Sequence, residues 1–475
     1  MKKIIILLFF IGSYSSVFSQ NDLAYLCSYG FNFEISQQKS WGYQKPIILS
    51  IAPLSSAAKA GLRPYDIIEK IDGDSTMYVE IDKIEEWMHD VYKDQVTLTI
   101  SNLSGTRDVV VTKTCTFSNV IPEKELASSY AFYSLEDIQK RSFTCPFKTA
   151  SDTIANLLSY RTFGFPKANE NYVALETTIN ESIKQHLGER GMIFQSYNPD
   201  LIVVTYYSYA PNPNYNEQSN SNVPGAYRYN PNSKKMQEFP ILDDLFHSSR
   251  QAPYSLTIGI RFVDRKKSTP NKQFIVWECE SMEYLISNYN MEDYAKSHIP
   301  LMLMQYPYIK TGNHAKFSFS SYKYNYTGLN YNLYNRAQIL DVDIASPAEK
   351  AGLKRGDIVT KINNFNVLAN PKDAEDRYKT FIFNTMALRD STTQFMNIYG
   401  FPRCAYWDET KYLDVAAEFK NKDYFNSFSY LFYFQPFVNP IKRNIVTFDA
   451  KRGKKKIKVN IRPEIKQEEV FELIR

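Results

Sequence analysis

The period of apolar positions changes several times along the chain, and each change marks an element. Between Ile81 and Tyr92, the residues Ile84, Trp87, Met88 and Tyr92 recur at helical spacing. A period-two stretch follows: VTLTI (Val96–Ile100), a turn around Gly105, then VVV (Val109–Val111), which reads as a hairpin. The same order returns near the end, as IVTF (Ile445–Phe448), a turn at Gly453 and IKVNI (Ile457–Ile461). Between the two hairpins, Asn171–Gly188 carries Leu175, Ile179, Ile183 and Leu187 at i, i+4, a helix ended by Gly188 or Gly191. Asn198 to Tyr207 (NPDLIVVTYY) reads as a turn into a buried strand, and the polar stretch Pro211–Asn232 as a mobile loop. Two strands, Ser255–Asp264 and Phe274–Cys279, flank a basic turn, Arg265–Lys272, and a helix near Asp293–Met304 closes this part.

A repeat organises these elements. Ser55–Gly73 (SSAAKAGLRPYDIIEKIDG) and Ser346–Asn364 (SPAEKAGLKRGDIVTKINN) align without a gap and agree at ten of nineteen positions. The matched residues of the first copy are Ser55, Ala57, Lys59, Ala60, Gly61, Leu62, Asp66, Ile67, Lys70 and Ile71. Duplicated sequence of this kind implies duplicated structure. Serine caps a short helical turn, and Gly61 or Gly352 ends it. Leu62 or Leu353 then enters the core. Asp66 or Asp357 starts a strand that stops in a turn at Asp72-Gly73 or Asn363-Asn364.

The repeated pattern, S-x-A-x-x-A-G-L-x-x-x-D-x-I-x-x-I-(N/D)-G, resembles the PDZ domain of bacterial envelope proteases and their relatives. That resemblance implies a loop of pattern G-Φ-G-Φ, upstream of the short helix, whose backbone N–H groups hold a peptide carboxylate while the next strand pairs with the peptide. Gly30-Phe31-Asn32-Phe33 and Gly328-Leu329-Asn330-Tyr331 occupy these places, each with Asn at the usual second Gly. Asn tolerates positive φ, so the loop can survive; altered pockets are the alternative, as is the offset register Tyr29-Gly30-Phe31 in the first copy. Ile84 and Met88 are expected to line the first groove. The middle of the chain resembles an envelope domain of unknown function, number 4136, through PDLIVVTY, IGIRFVDRK, FIVWECE and IPLMLMQYP. That resemblance implies α/β structure and envelope residence but no chemistry.

The expected fold is a mixed α/β and mainly-β multidomain chain: two PDZ-like modules of β-barrel type around a central α+β domain. The expected boundaries are a signal peptide at 1–19, a first module at 20–118 and a linker at 119–149. A middle domain at 150–310, a second module at 316–465 with an aromatic-rich insertion about 390–440, and a tail at 466–475 complete the chain.

Composition sharpens the setting. Lys2 and Lys3, the apolar run Ile4–Ile11 and Val17-Phe18-Ser19 form a signal peptide, with the mature chain starting at Gln20. Tyr25-Leu26 before Cys27 is no lipobox, and no later run is apolar enough to cross a bilayer. The destination is periplasm, cell envelope or secretion. Losing Lys2 and Lys3 takes the formal charge from +5 to +3, too little for nucleic acid, and the basic run Lys451–Lys458 reads as a solvated strand-turn-strand. The 36 Tyr and 31 Phe suit half-exposed sheets and contact surfaces, or an aromatic-rich core. Of five cysteines (Cys27, Cys115, Cys145, Cys279, Cys404), Cys27 and Cys115 lie near the two ends of the first module and form the candidate disulfide; the spacing is too wide for zinc.

Catalytic constellations are absent from the pattern. The sequence has no G-x-S-x-G elbow, no H-E-x-x-H among His89, His186, His247, His298 and His314, no Asp-Thr/Ser-Gly and no Gly-rich phosphate loop. Asp243-Asp244 beside His247 reads as a solvated loop. The expectation is therefore a non-enzymatic exported scaffold or adaptor without cofactor. Its modules hold peptide C-termini or hydrophobic segments of exported proteins, with an envelope protease as one candidate partner. The alternatives are a structural envelope component with ligand-dead PDZ folds, or a regulatory partner of a separate protease.

Overall fold

The computed structural model describes residues 25–52, 55–89, 92–117, 120–122, 139–217, 223, 225–242, 248–332, 335, 337–367, 384, 386–389, 408, 411, 414 and 445–474. The expected signal peptide, Cys404, the Asp243-Asp244-His247 cluster and nearly all of the expected insertion lie outside the described residues. Among the described residues no helix is long and apolar enough to cross a membrane.

The first repeat copy folds as one open sheet in the order Phe31–Ile35, Pro46–Ile51, Ile67–Ile71, Gln95–Asn102, Gly105–Thr112. Two helices accompany it: α1 (Ser56–Lys59) and α2 (Ile81–His89). Because the two outer strands do not pair with each other, the module is an open sheet, which corrects the barrel expectation. The hairpin falls where the period-two pattern put it. Tyr25–Ser28 pairs with Thr114–Phe117, with Cys27 directly opposite Cys115, and the two are joined by a disulfide of 2.01 Å. The candidate pair is thus the bonded one, while Cys145 and Cys279 are free and buried.

The middle domain has a six-stranded sheet in the order Phe147–Ser151, Ile275–Leu285, Tyr254–Asp264, Leu201–Pro211, Thr162–Gly164, Ile193–Phe194. Helices α3 (Val173–Glu189) and α4 (Met291–Leu303) bury Leu175, Ile179, Ile183 and Leu187, and Tyr294, Ile299 and Met302, in the main core. The expected mobile loop Pro211–Asn232 is ordered in its second half: Ala226–Asn230 pairs with Lys235–Phe239 as a hairpin. Its Arg228 explains why. The buried guanidinium makes a two-pronged ion pair with Glu283, at 2.6 and 3.1 Å, and lies 3.3 Å from His298 Nε2. Such a group holds position only when fully paired. The sequence gives no sign of this cluster because its members are far apart in the chain.

The second copy repeats the first, with α5 (Pro347–Lys350) standing for α1. Its strands Ile358–Ile362, Val446–Arg452 and Lys455–Ile461 form the same meander. The residues expected as a tail continue the fold: Glu464–Ile474 pairs along its length with Ala315–Tyr326, which also pairs with Gln139–Cys145. Phe143, Phe317 and Phe471 stack across these three strands, and Tyr229 of the hairpin stacks on Phe471 at 4.4 Å. Part of the aromatic surplus therefore serves as mortar between elements.

Candidate peptide-binding grooves

Both copies build the same corner around a glycine. Gly30 has φ +85° and Gly328 φ +86°. A Cβ at either would lie 2.2 Å from the Cβ of the capping serine, Ser55 or Ser346. Only glycine fits there, on both counts. The Gly30 carbonyl accepts from Ala52 N–H at 2.8 Å, and the Gly328 carbonyl accepts from Asp343 N–H at 2.8 Å. The serines cap α1 and α5 by accepting from Ala58 N–H at 3.1 Å and Glu349 N–H at 3.2 Å.

The Asn in each loop plays a different part from the one the sequence suggested. Neither Asn32 nor Asn330 has positive φ; each sits in a strand just before a bulge that both copies share. The replacement of Gly by Asn therefore carries no backbone strain. The side chains tie neighbouring strands instead, with Asn32 Nδ2 donating to Ser50 Oγ at 3.3 Å and Asn330 Nδ2 to Asp343 Oδ1 at 2.7 Å.

In the first copy, Phe31, Phe33 and Ile35 pack from the edge strand against the cluster that contains Ile84 and Met88 of α2. Ile84 and Met88 themselves are 0% and 4% exposed, so they belong to the module's core, which corrects the expectation that they line a groove. The half-buried Phe31, Phe33, Ile35, Val79 and Trp87 are the accessible apolar groups, and Met77, Tyr78 and Ile81 are exposed near the start of α2. Ile35, two residues past Phe33 on the same face, was readable from strand period alone. A cleft of about 520 Å³ beside Gly30 is lined by Gly30, Ala52, Ser55, Ser56, Lys59 and Thr112, among others. In the second copy Leu329 and Tyr331 are buried, at 1% and 0%.

The signature aspartates are structural. Asp66 accepts from Arg63 N–H at 3.0 Å and from Asn102 Nδ2 at 2.8 Å. Burial raises its pKa, an effect opposed by those hydrogen bonds and by the Arg107 and Arg63 charges. Asp357 accepts from Lys354 N–H at 2.9 Å and from Arg452, whose position in its hairpin matches that of Asn102.

The first module is joined to the middle domain by hydrogen bonds and by shared core. Tyr308 OH donates to Glu34 at 2.7 Å, Gln38 Nε2 to the Pro307 carbonyl at 2.8 Å, and Arg161 to the carbonyls of Asn102 and Leu103. Trp41, Tyr65 and Leu103 join the core of the middle domain. Among the described residues, no group of three His, Cys, Asp or Glu could hold a metal ion.

Comparison with known proteins agrees with this geometry. The family model described as "Domain of unknown function (DUF4136)" matches residues 147–308, and one described as "PDZ domain" matches residues 338–376. No curated protein matches the chain. Among solved structures, a PelC dodecamer from Paraburkholderia phytofirmans is 9% identical, with a TM-score of 0.16, covering 35% of this chain and 95% of that one. That score carries no argument. A PDZ domain protein from Parabacteroides distasonis is 42% identical, with a TM-score of 0.81, covering 95% of this chain and 100% of that one. On that likeness, which spans nearly its whole length, the chain belongs to the PDZ domain proteins and combines the PDZ fold with a DUF4136 domain.

Proposed function

We propose that this chain is an exported, non-catalytic adaptor whose first PDZ module holds peptide C-termini or hydrophobic segments of envelope proteins. A PDZ domain suggests a protein-binding role, and PDZ domains generally bind peptides. The observation that carries the finer reading is the strand Phe31–Ile35: among the described residues it ends its sheet, and it presents Phe31, Phe33 and Ile35 beside the α2 cluster. That combination supplies main-chain groups for pairing and apolar sites for alternate side chains. The cleft beside Gly30, with Lys59 in its lining, suits a terminal carboxylate. The leader-like start and the Cys27–Cys115 bond support an oxidising, extracytoplasmic destination.

The test uses the chain from Gln20 onward and a fluorescent library of hydrophobic-tailed peptides, with amidated versions as competitors. Saturable binding that amidated peptides fail to compete, and that Phe33→Asp abolishes, is expected. No saturable binding would overturn the proposal. A second reading, a structural envelope component whose PDZ folds serve as packing units, draws on the buried Leu329 and Tyr331 of the second copy. Size-exclusion of native extracts separates the two, because a lone monomer speaks against a structural complex.

A further inference from the structure

The strand that carries the second loop pattern has neighbours on both sides. Leu329–Asn332 pairs with Ile339–Val342 on one side and, antiparallel, with Val120–Pro122 on the other. The register sets Asn330 opposite Pro122, Tyr331 opposite Ile121 and Asn332 opposite Val120. Its counterpart in the first copy, Phe31–Ile35, pairs among the described residues with Pro46–Ile51 alone and stands at the end of its sheet. The two strands correspond through the glycines at φ +85° and +86°, and through the bulge that follows each Asn.

An extended segment laid antiparallel along this edge is the main-chain geometry of ligand capture by β-augmentation. Burial differs in the same sense: Leu329 and Tyr331 are 1% and 0% exposed, while Phe31 and Phe33 are half-buried. We infer that Val120–Pro122 is a built-in pseudo-ligand that closes the second groove and leaves the first as the open one. This rests on the reading of the first groove as a peptide site and extends it to the second.

The physics makes the closure reversible. The segment belongs to the same chain as the strand it covers, so it acts as an intramolecular ligand with an effective concentration of order millimolar. Among the described residues it is three residues long, and Pro122 has no N–H to add to the ladder. A longer extended peptide with more main-chain bonds can displace it. The occupant is internal to the chain, so the second groove takes an extended segment without needing a free carboxylate.

The test compares the chain from Gln20 onward with a triple variant, Val120→Gly, Ile121→Gly and Pro122→Gly. The probe is a fluorescent synthetic peptide spanning residues 116–124. The variant is expected to bind it about tenfold or more tightly than the native chain, because the tethered competitor is gone. Equal binding by both chains would overturn the inference. Native-chain hydrogen exchange gives a reading that does not depend on the variant folding: amides of Leu329–Asn332 are expected to be protected well beyond those of Phe31–Ile35. Equally fast exchange in the two strands would also overturn it. The adaptor reading is separable. If library peptides fail to bind the native chain while the variant captures the 116–124 peptide, the closure stands and the open first site falls. If library peptides bind the native chain while the variant gains nothing for the 116–124 peptide, the open first site stands and the closure falls.

Discussion

At the scale of single residues, the duplicated corner makes a sharp claim about Gly30. Alanine there meets two costs, a left-handed backbone and a 2.2 Å approach to Ser55 Cβ. Gly30→Ala should destabilise the chain by roughly 2 kcal/mol or more. Removing the opposing Cβ with Ser55→Gly should recover part of that loss, so the double variant is less damaged than the sum of the singles. Strict additivity in chemical denaturation would show that the contact is not the cause. The glycine and serine were legible because the repeat marked the serine and the loop pattern the glycine. The role of Asn32 was not: composition suggests a tolerated φ, while the strand position that makes φ irrelevant needs the pairing partner Ser50.

His298 yields a pH prediction. Burial, then the neighbouring Arg228 guanidinium, pushes its pKa well below 6.5. Between that folded value and 6.5, the unfolded chain binds a proton that the folded chain refuses. Stability should therefore hold above about pH 6.5 and decline as pH falls below it. His186, lowered by burial as well, adds in the same direction. His298→Gln should show a shallower decline below pH 6.5, measured by denaturation across the range; an unchanged slope would contradict the assignment. The five histidines were visible in sequence, but the ring of Tyr294 stacked on this one at 4.0 Å, and the Arg228–Glu283 pair beside it, were not.

At the scale of elements, periodicity located α2, α3, both hairpins and the long middle strands to within a few residues, because each is amphipathic over its own length. It placed Ile84 and Met88 on the apolar face of α2, which is buried in the first module's core. It could not say that these two side chains would be fully buried rather than accessible. It failed for Ala226–Phe239, where Asn230, Pro231 and Asn232 at the turn masked a short hairpin fixed by a distant ion pair. The strands Tyr25–Ser28 and Thr114–Phe117 are four residues each and are cross-linked at Cys27–Cys115. Replacing both cysteines with serine releases a loop with a sequence separation of 88 and should cost roughly 2–4 kcal/mol. Non-reducing mass spectrometry should find this bond and leave Cys145 and Cys279 as free thiols. Free Cys27 and Cys115, or no stability change in the variant, would contradict the pairing.

At the scale of the molecule, the chain folds back on itself more than its linear domain order suggests. The last strand, Glu464–Ile474, joins Ala315–Tyr326 and sends Leu473 into the middle core. The first module is bound to that core through Trp41, Tyr65 and Leu103. The segment Val120–Pro122 completes the second module's sheet. None of these long-range pairings leaves a local sequence signal, which is why the expected linker and tail read as connections. The result is two duplicated strands in unequal states: among the described residues Phe31–Ile35 ends its sheet, while Leu329–Asn332 is paired on both sides. The most direct test of that account is hydrogen exchange on the chain from Gln20 onward, with and without a saturating hydrophobic-tailed peptide. Added protection at Phe31–Ile35, with no change at Leu329–Asn332, is the predicted result. Protection that appears elsewhere while Phe31–Ile35 exchanges as before would contradict it.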